Sequence, residues 1–89
     1  MVFSRQGDRL LVYASNGGAP EHPHWYLNLL ADSRVGVEVG ADRFEAVATP
    51  LEGEARRRAF AEHARRWPAF RDYQEKIDRL IPVIALARA

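Results

Sequence analysis

Ala14-Ser15-Asn16-Gly17-Gly18-Ala19-Pro20-Glu21-His22-Pro23-His24-Trp25-Tyr26-Leu27-Asn28-Leu29 is the stretch on which the fold turns. A hydrophobic strand, Leu10 to Ala14, runs into two consecutive glycines, then two prolines, then the aromatic start of a helix. Paired glycines permit backbone with positive φ and remove side chains that would block a ligand. Pro23 suits the first turn of a helix, where its missing N–H costs nothing. The pattern predicts a tight corner with backbone N–H groups turned outward and polar side chains close by. Such a corner can hold an anionic or carbonyl-bearing ligand. The alternative is a strand-to-helix turn whose glycines are purely structural.

Outward from the corner, the punctuation of the chain predicts an α+β protein. Arg9 to Ser15 reads as a strand after the turn signal Gly7-Asp8. Pro23 to Ala31 reads as a short helix whose apolar face is Trp25, Leu29 and Leu30. Val35, Val37 and Val39 alternate with Gly36, Glu38 and Gly40, the period-2 signature of a half-buried strand. A turn at Gly40-Ala41-Asp42 leads into a second alternating strand, Phe44 to Pro50, so the pair reads as an antiparallel hairpin. Glu52 to Trp67 is helical, with Ala59, Phe60, His63, Ala64 and Trp67 on one stripe. Pro68 breaks it and starts a further helix, Ala69 to Asp78, with Phe70, Tyr73 and Ile77 inward. Ile81 to Leu86 is a strand apolar on both sides, expected to be buried on both faces, with Pro82 at its start or on an edge. Residues 1–89 thus form one domain: an antiparallel sheet of about four strands with two to three helices.

Composition narrows the function. A chain of 89 residues has no room for a second core. With 28% charged residues but a net charge of only +1, it does not call for a polyanion partner. Cysteine is missing, which excludes disulfides, thiolate metal sites and a cysteine nucleophile. No apolar run approaches the ~20 residues of a membrane span, and Met1 to Asp8 lack a signal-peptide core, so the expectation is a cytoplasmic protein. Arg56-Arg57-Arg58, Arg65 and Arg66 are interleaved with Glu52, Glu54 and Glu62. The i,i+4 pairs Glu52–Arg56, Glu54–Arg58 and Glu62–Arg66 fit a solvated helix face rather than nucleic-acid binding. His22, His24 and His63 lack the spacing of a metal site. His22 is expected to help cap the helix at Pro23, and His63 to be a partly buried ring on the apolar stripe.

The run from Ala14 to Leu29 resembles the signature of the deazaflavin-dependent nitroreductase family, common in actinobacteria: Ala-Ser-Lys-Gly-Gly-Ala-Pro-x-His-Pro-x-Trp-Tyr-x-Asn-Leu. The tail agrees, since Tyr73-Gln74-Glu75-Lys76 and Asp78-Arg79-Leu80-Ile81-Pro82-Val83 resemble the family's Tyr-Gln-x-x-Thr-x-Arg-x-Ile-Pro-Val. The two blocks bracket most of the chain. The resemblance implies a split β-barrel related to flavin-binding barrels. It also implies hydride transfer from reduced coenzyme F420 to an electron-poor small molecule such as a nitro compound, quinone or enone. By the same resemblance, Ser15, Asn16, Gly17, Gly18, Ala19 and Pro20 form the cofactor loop, with His24, Trp25 and Asn28 beside it. Phe70 and Tyr73 fall where the family lines its substrate pocket, and Tyr73 could donate a proton to the reduced substrate. Trp25 and Tyr26 are adjacent and cannot both face the core. Trp25 either stacks on a planar ligand or anchors the core, and Phe70 and Tyr73 are either pocket or core.

Two departures temper the cofactor expectation. The family lysine before the glycines is Asn16 here, and residues 1–8 hold no Gly-Arg-x-Ser-Gly-x-x-Arg element for the cofactor phosphate. Each lost charge-assisted bond is worth about 1.5–3 kcal/mol. Three alternatives follow: an in-frame upstream extension beyond a misassigned start codon, a non-catalytic module for dimerisation or ligand binding, and a relative that binds FMN. Four strands are too few to close a barrel, and the open edges predict a homodimer.

Overall fold

The computed structural model describes residues 3–89, and their backbone forms five strands and three helices in the order β1 (Phe3–Gln6), β2 (Arg9–Tyr13), α1 (His24–Ala31), β3 (Arg34–Val39), β4 (Asp42–Pro50), α2 (Gly53–Arg66), α3 (Ala69–Lys76) and β5 (Val83–Arg88). All five strands lie in one antiparallel sheet of order β1-β2-β5-β4-β3. The α+β class and the 35–40/43–50 hairpin agree with expectation, while the sheet has one strand more than was expected. β1 comes from the two-residue Gly7-Asp8 turn, which sets Gln6 opposite Arg9. Gly7 takes φ +59° there, as a tight hairpin requires. The Ser4 and Tyr13 hydroxyls, 2.6 Å apart, tie the two strands together.

β5 lies at the centre of the sheet, which explains why its residues are apolar on both faces. Val83 and Ala85 face one core with Leu11, Tyr13, Phe60, Ala64 and Phe70, under α2 and α3. Ile84 and Leu86 face the other, with Leu10, Val12, Ala46, Ala48 and Leu29, under α1. Pro82 precedes the strand and accepts the Ala14 N–H on its carbonyl, so its missing donor costs nothing.

Two expected core residues are displaced outward. Leu30 is 55% exposed because the eight-residue α1 reaches the sheet through Leu29 and Trp25, about 100° and 140° from Leu30 around the helix. Trp67 is 50% exposed because it is the residue on which α2 ends, with φ leaving the helical region at −129°. α3 stops at Lys76 rather than Asp78, with Ile77 already extended but still packed against the core as expected. No helix among the described residues is long and apolar enough to cross a membrane.

His63 is more deeply buried than its sequence position suggested, at 1% exposure. Its ring stacks on Tyr13 at 3.7 Å and meets Phe70 edge-on at 4.3 Å. Neither ring nitrogen has a partner among the described residues. Burial first, then the Arg66 charge, lowers its pKa below the ordinary 6.5. The unfolded chain therefore takes up the proton more readily than the folded one. The stability that neutral His63 contributes is complete above its ordinary value and is lost as pH falls through the lowered pKa. Urea midpoints are expected to drop as pH goes from about 7 to about 5, and His63→Leu should flatten that dependence. An unchanged slope in the variant would assign the acid sensitivity elsewhere.

Candidate active site

The glycine corner is built at the end of β2. Asn16, Gly17 and Gly18 are three consecutive residues with positive φ (50°, 63° and 84°) inside a short 3-10 turn. Asparagine is among the few non-glycine residues that accept this region, which gives a local reason for Asn16. Its side-chain Nδ2 donates to the Glu21 carbonyl at 3.0 Å. The Gly18 and Ala19 N–H groups close the turn onto the Ser15 and Asn16 carbonyls at 3.0 and 3.1 Å. These two donors are consumed inside the turn, contrary to the expectation that the corner amides face outward.

The residue that organises the corner is Arg79. Its Nη1 donates to the Ala14 carbonyl and to His22 Nδ1, both at 3.1 Å, and its Nη2 donates to the Ser15 and Ala19 carbonyls, both at 3.0 Å. A guanidinium carries only donors, so His22 Nδ1 must accept and its proton sits on Nε2. Burial and then the Arg79 charge lower the His22 pKa, which favours the neutral ring that this bond requires. His22 therefore does not cap α1, whose N-cap residue is Pro23 with no side-chain hydrogen bond. Its ring meets Tyr26 instead, at 4.8 Å.

Arg79 is itself carried on a pinned segment. Gln74 on α3 donates to the Arg79 carbonyl at 2.7 Å and accepts the Ile81 N–H at 2.8 Å. Arg56 on α2 donates to the same Gln74 oxygen at 3.0 Å and, through Nε and Nη2, to the Ile81 carbonyl at 3.2 and 2.7 Å. The expected Glu52–Arg56 surface pair is thus replaced by an interior bracket, with the Arg56 guanidinium 4.7 Å over the Phe60 ring. The expected Glu54–Arg58 and Glu62–Arg66 pairs form, and Arg57 and Arg65 join the same two carboxylates.

The sequence-predicted site residues fall into two groups. Ser15 to Pro20 sit against α3, where the Tyr73 ring covers Gly18 so closely that a Cβ there would lie 3.0 Å from Tyr73 Cδ1. Phe70 lies beneath, 8% exposed, edge-on to Tyr73 at 5.5 Å and to Tyr13 at 6.0 Å. Trp25 and Asn28 face the other side of the sheet. They line an apolar cleft of about 680 Å³ with Phe3, Leu10, Val12, Leu86 and the β3 residues Val35, Val37 and Val39. His24 is exposed at the start of α1. Among the described residues no group of three or more His, Asp or Glu side chains could hold a metal ion.

Periodicity gave no sign of Arg79, Gln74 or Arg56. Arg79 and Gln74 fall within the tail block that carried the family resemblance. Arg56 was concealed in a run of arginines that otherwise face solvent.

Known proteins share this fold. Residues 1–88 match the model of the F420H(2)-dependent quinone reductase family. An F420H(2)-dependent quinone reductase of Mycobacterium tuberculosis strain H37Rv is 34% identical over 99% of the chain, which spans 61% of that relative's length. A solved structure of an F420-H2 dependent reductase, FDR-A, superposes with a TM-score of 0.87 at 34% identity, covering 97% of this chain and 76% of that one. A second, described as a domain-swapped dimer, gives the same TM-score and identity over 97% of this chain and 65% of its own. With nearly its whole length matched in sequence and its fold shared at this identity, the chain belongs to the F420H(2)-dependent quinone reductase family.

Proposed function

We propose that this chain is an F420H2-dependent oxidoreductase that reduces quinones, with the Ser15–Pro20 corner and Tyr73 as its centre. The observation that carries the reading is Gly18, a backbone unit without a side chain pressed onto the Tyr73 ring. A flat heteroaromatic ring can approach such a corner closely, since at Gly17 even an added Cβ would meet nothing within 4 Å. That open side at Gly17 supports placing the deazaflavin ring against the corner.

When bound, reduced F420 supplies a hydride, and a quinone that takes this hydride and one proton becomes a hydroquinone. The corner's part is to present a surface of fixed shape to the ring, that shape being held by the turn's own amides and by the bonds from Arg79 to its carbonyls. Tyr73 flanks the corner and offers a phenol as proton donor or orienting hydrogen bond to the quinone oxygen. Phe70 supports Tyr73 from the core. Asn28 and Trp25 line the cleft on the other side of the sheet, apart from this centre.

The reading extends to a homodimer in which a second copy covers the apolar cleft. The cleft draws residues from both edge strands, β1 and β3, and unpaired edges beside apolar surface favour association. The solved structure described as a domain-swapped dimer supports a dimeric state.

The test is anaerobic mixing of the purified chain with F420H2 and a simple quinone, following the return of oxidised deazaflavin absorbance, with FMN as the alternative cofactor and light scattering on the same sample. Turnover with F420H2 by a dimer is expected, and Tyr73→Phe should lower kcat about 10²-fold with little change in cofactor affinity. A folded chain that binds neither cofactor would overturn the enzyme reading.

A further inference from the structure

We infer that Arg79 is a positioning residue for the cofactor loop: its guanidinium, with neutral His22, holds the Ser15–Pro20 corner in the shape that binds. The inference rests on the corner being the cofactor contact. Two observations single out Arg79. The turn is already closed by its own Gly18 and Ala19 N–H bonds, so chain reversal does not need a guanidinium. Arg79 nevertheless spends four bonds on it, three to carbonyls that lie either side of the glycines and one to His22.

The second observation is the cost of the arrangement. Arg79 Nε is buried with no acceptor among the described residues. An unpaired buried donor is destabilising, so the placement of this side chain is not explained by stability alone. Residues with positive φ on an exposed loop sample several conformations unless held. A fork bonded at both ends of the loop reduces it to one, and a preorganised loop binds more tightly because less ordering remains to be done.

His22 sets the condition for this hold. Its Nδ1 accepts from Arg79 only while the ring is neutral, and protonation would place two cations in contact. The groups around it are the Arg79 guanidinium and the Tyr26 ring, with Glu21 the acidic side chain acting on Arg79.

The experiment compares wild type, Arg79→Lys and Arg79→Ala in three measurements: F420 affinity, hydrogen exchange at the Gly18 and Ala19 amides, and thermal unfolding. Arg79→Ala is expected to weaken F420 binding at least tenfold and to speed exchange at the two corner amides at least tenfold. Exchange at Leu11 and Ile84, in the sheet, should stay within twofold. Arg79→Lys keeps the charge without the fork and should recover little of the affinity. Added methylguanidinium should restore binding in Arg79→Ala but not in Arg79→Lys, an outcome that a merely destabilising substitution would not give. In wild type, F420 affinity should fall as His22 protonates, and Arg79→Ala should lose that pH dependence. Unchanged corner exchange in a folded Arg79→Ala overturns the inference. If wild type binds no F420, the cofactor reading fails, and exchange at Gly18 and Ala19 alone decides whether Arg79 orders the corner.

Discussion

Gly18→Val is expected to unfold the glycine corner and to lower the melting temperature by roughly 12–24 °C, the shift that about 3 kcal/mol produces in a domain of this size. Two costs add. At φ +84° a side chain with a Cβ strains the backbone, by about 1–2 kcal/mol in the left-handed region. The new Cβ also lands 3.0 Å from Tyr73 Cδ1, and overpacking of that kind costs about 1–3 kcal/mol. The Tyr73 ring cannot retreat freely because Phe70 lies behind it, edge-on at 5.5 Å. Gly17→Ala is the control: φ is +63° there too, but a Cβ meets nothing within 4 Å. It should therefore lose only the backbone term, about 1–2 kcal/mol. F420 affinity should fall at least tenfold for Gly18→Val and less for Gly17→Ala. Equal effects of the two substitutions on melting would show that the contact with Tyr73 carries no weight.

That contact also shows how far the sequence reaches. Strand periodicity, paired glycines and proline punctuation are local properties, and they located β2 to β5, the three helices and the corner. β1 was missed although its cue was present. A two-residue Gly7-Asp8 turn before a hydrophobic strand implies a strand on its other side, but Phe3-Ser4-Arg5-Gln6 has too little alternation to register. The bonds that shape the corner join residues far apart in the chain: Arg79 to Ala14, Ser15, Ala19 and His22. No period links them. Charge patterning placed Arg56 with its neighbours on the solvated face of α2. The helix instead turns it toward the Ile81 carbonyl, a partner that exists only once β5 has docked. Trp25 and Asn28 illustrate the converse. They lie a few residues from the corner in sequence, yet α1 carries them to the opposite side of the sheet from Tyr73.

Gln74→Leu tests whether the segment that bears Arg79 is held as the hydrogen bonds indicate. One amide group makes three bonds: its oxygen accepts from Arg56 and from the Ile81 N–H, and its nitrogen donates to the Arg79 carbonyl. Leucine keeps the size and removes all three. The Ile81 backbone is left unsatisfied beside a side chain that is 0% exposed, at a cost of about 1–3 kcal/mol. Arg56 keeps its two bonds to the Ile81 carbonyl, so its charge is not stranded, and the expected total is about 3 kcal/mol. Gln74→Glu should fall between, since a carboxylate can accept from Arg56 and Ile81 but cannot donate to the Arg79 carbonyl. The decisive comparison is the double variant with Arg79→Ala. If Gln74 acts on the corner by holding Arg79, the two losses of F420 affinity should not add, with an interaction energy of about 0.5–3 kcal/mol. Full additivity would mean that the bracket stabilises the fold without steering the loop, leaving Arg79 to act alone.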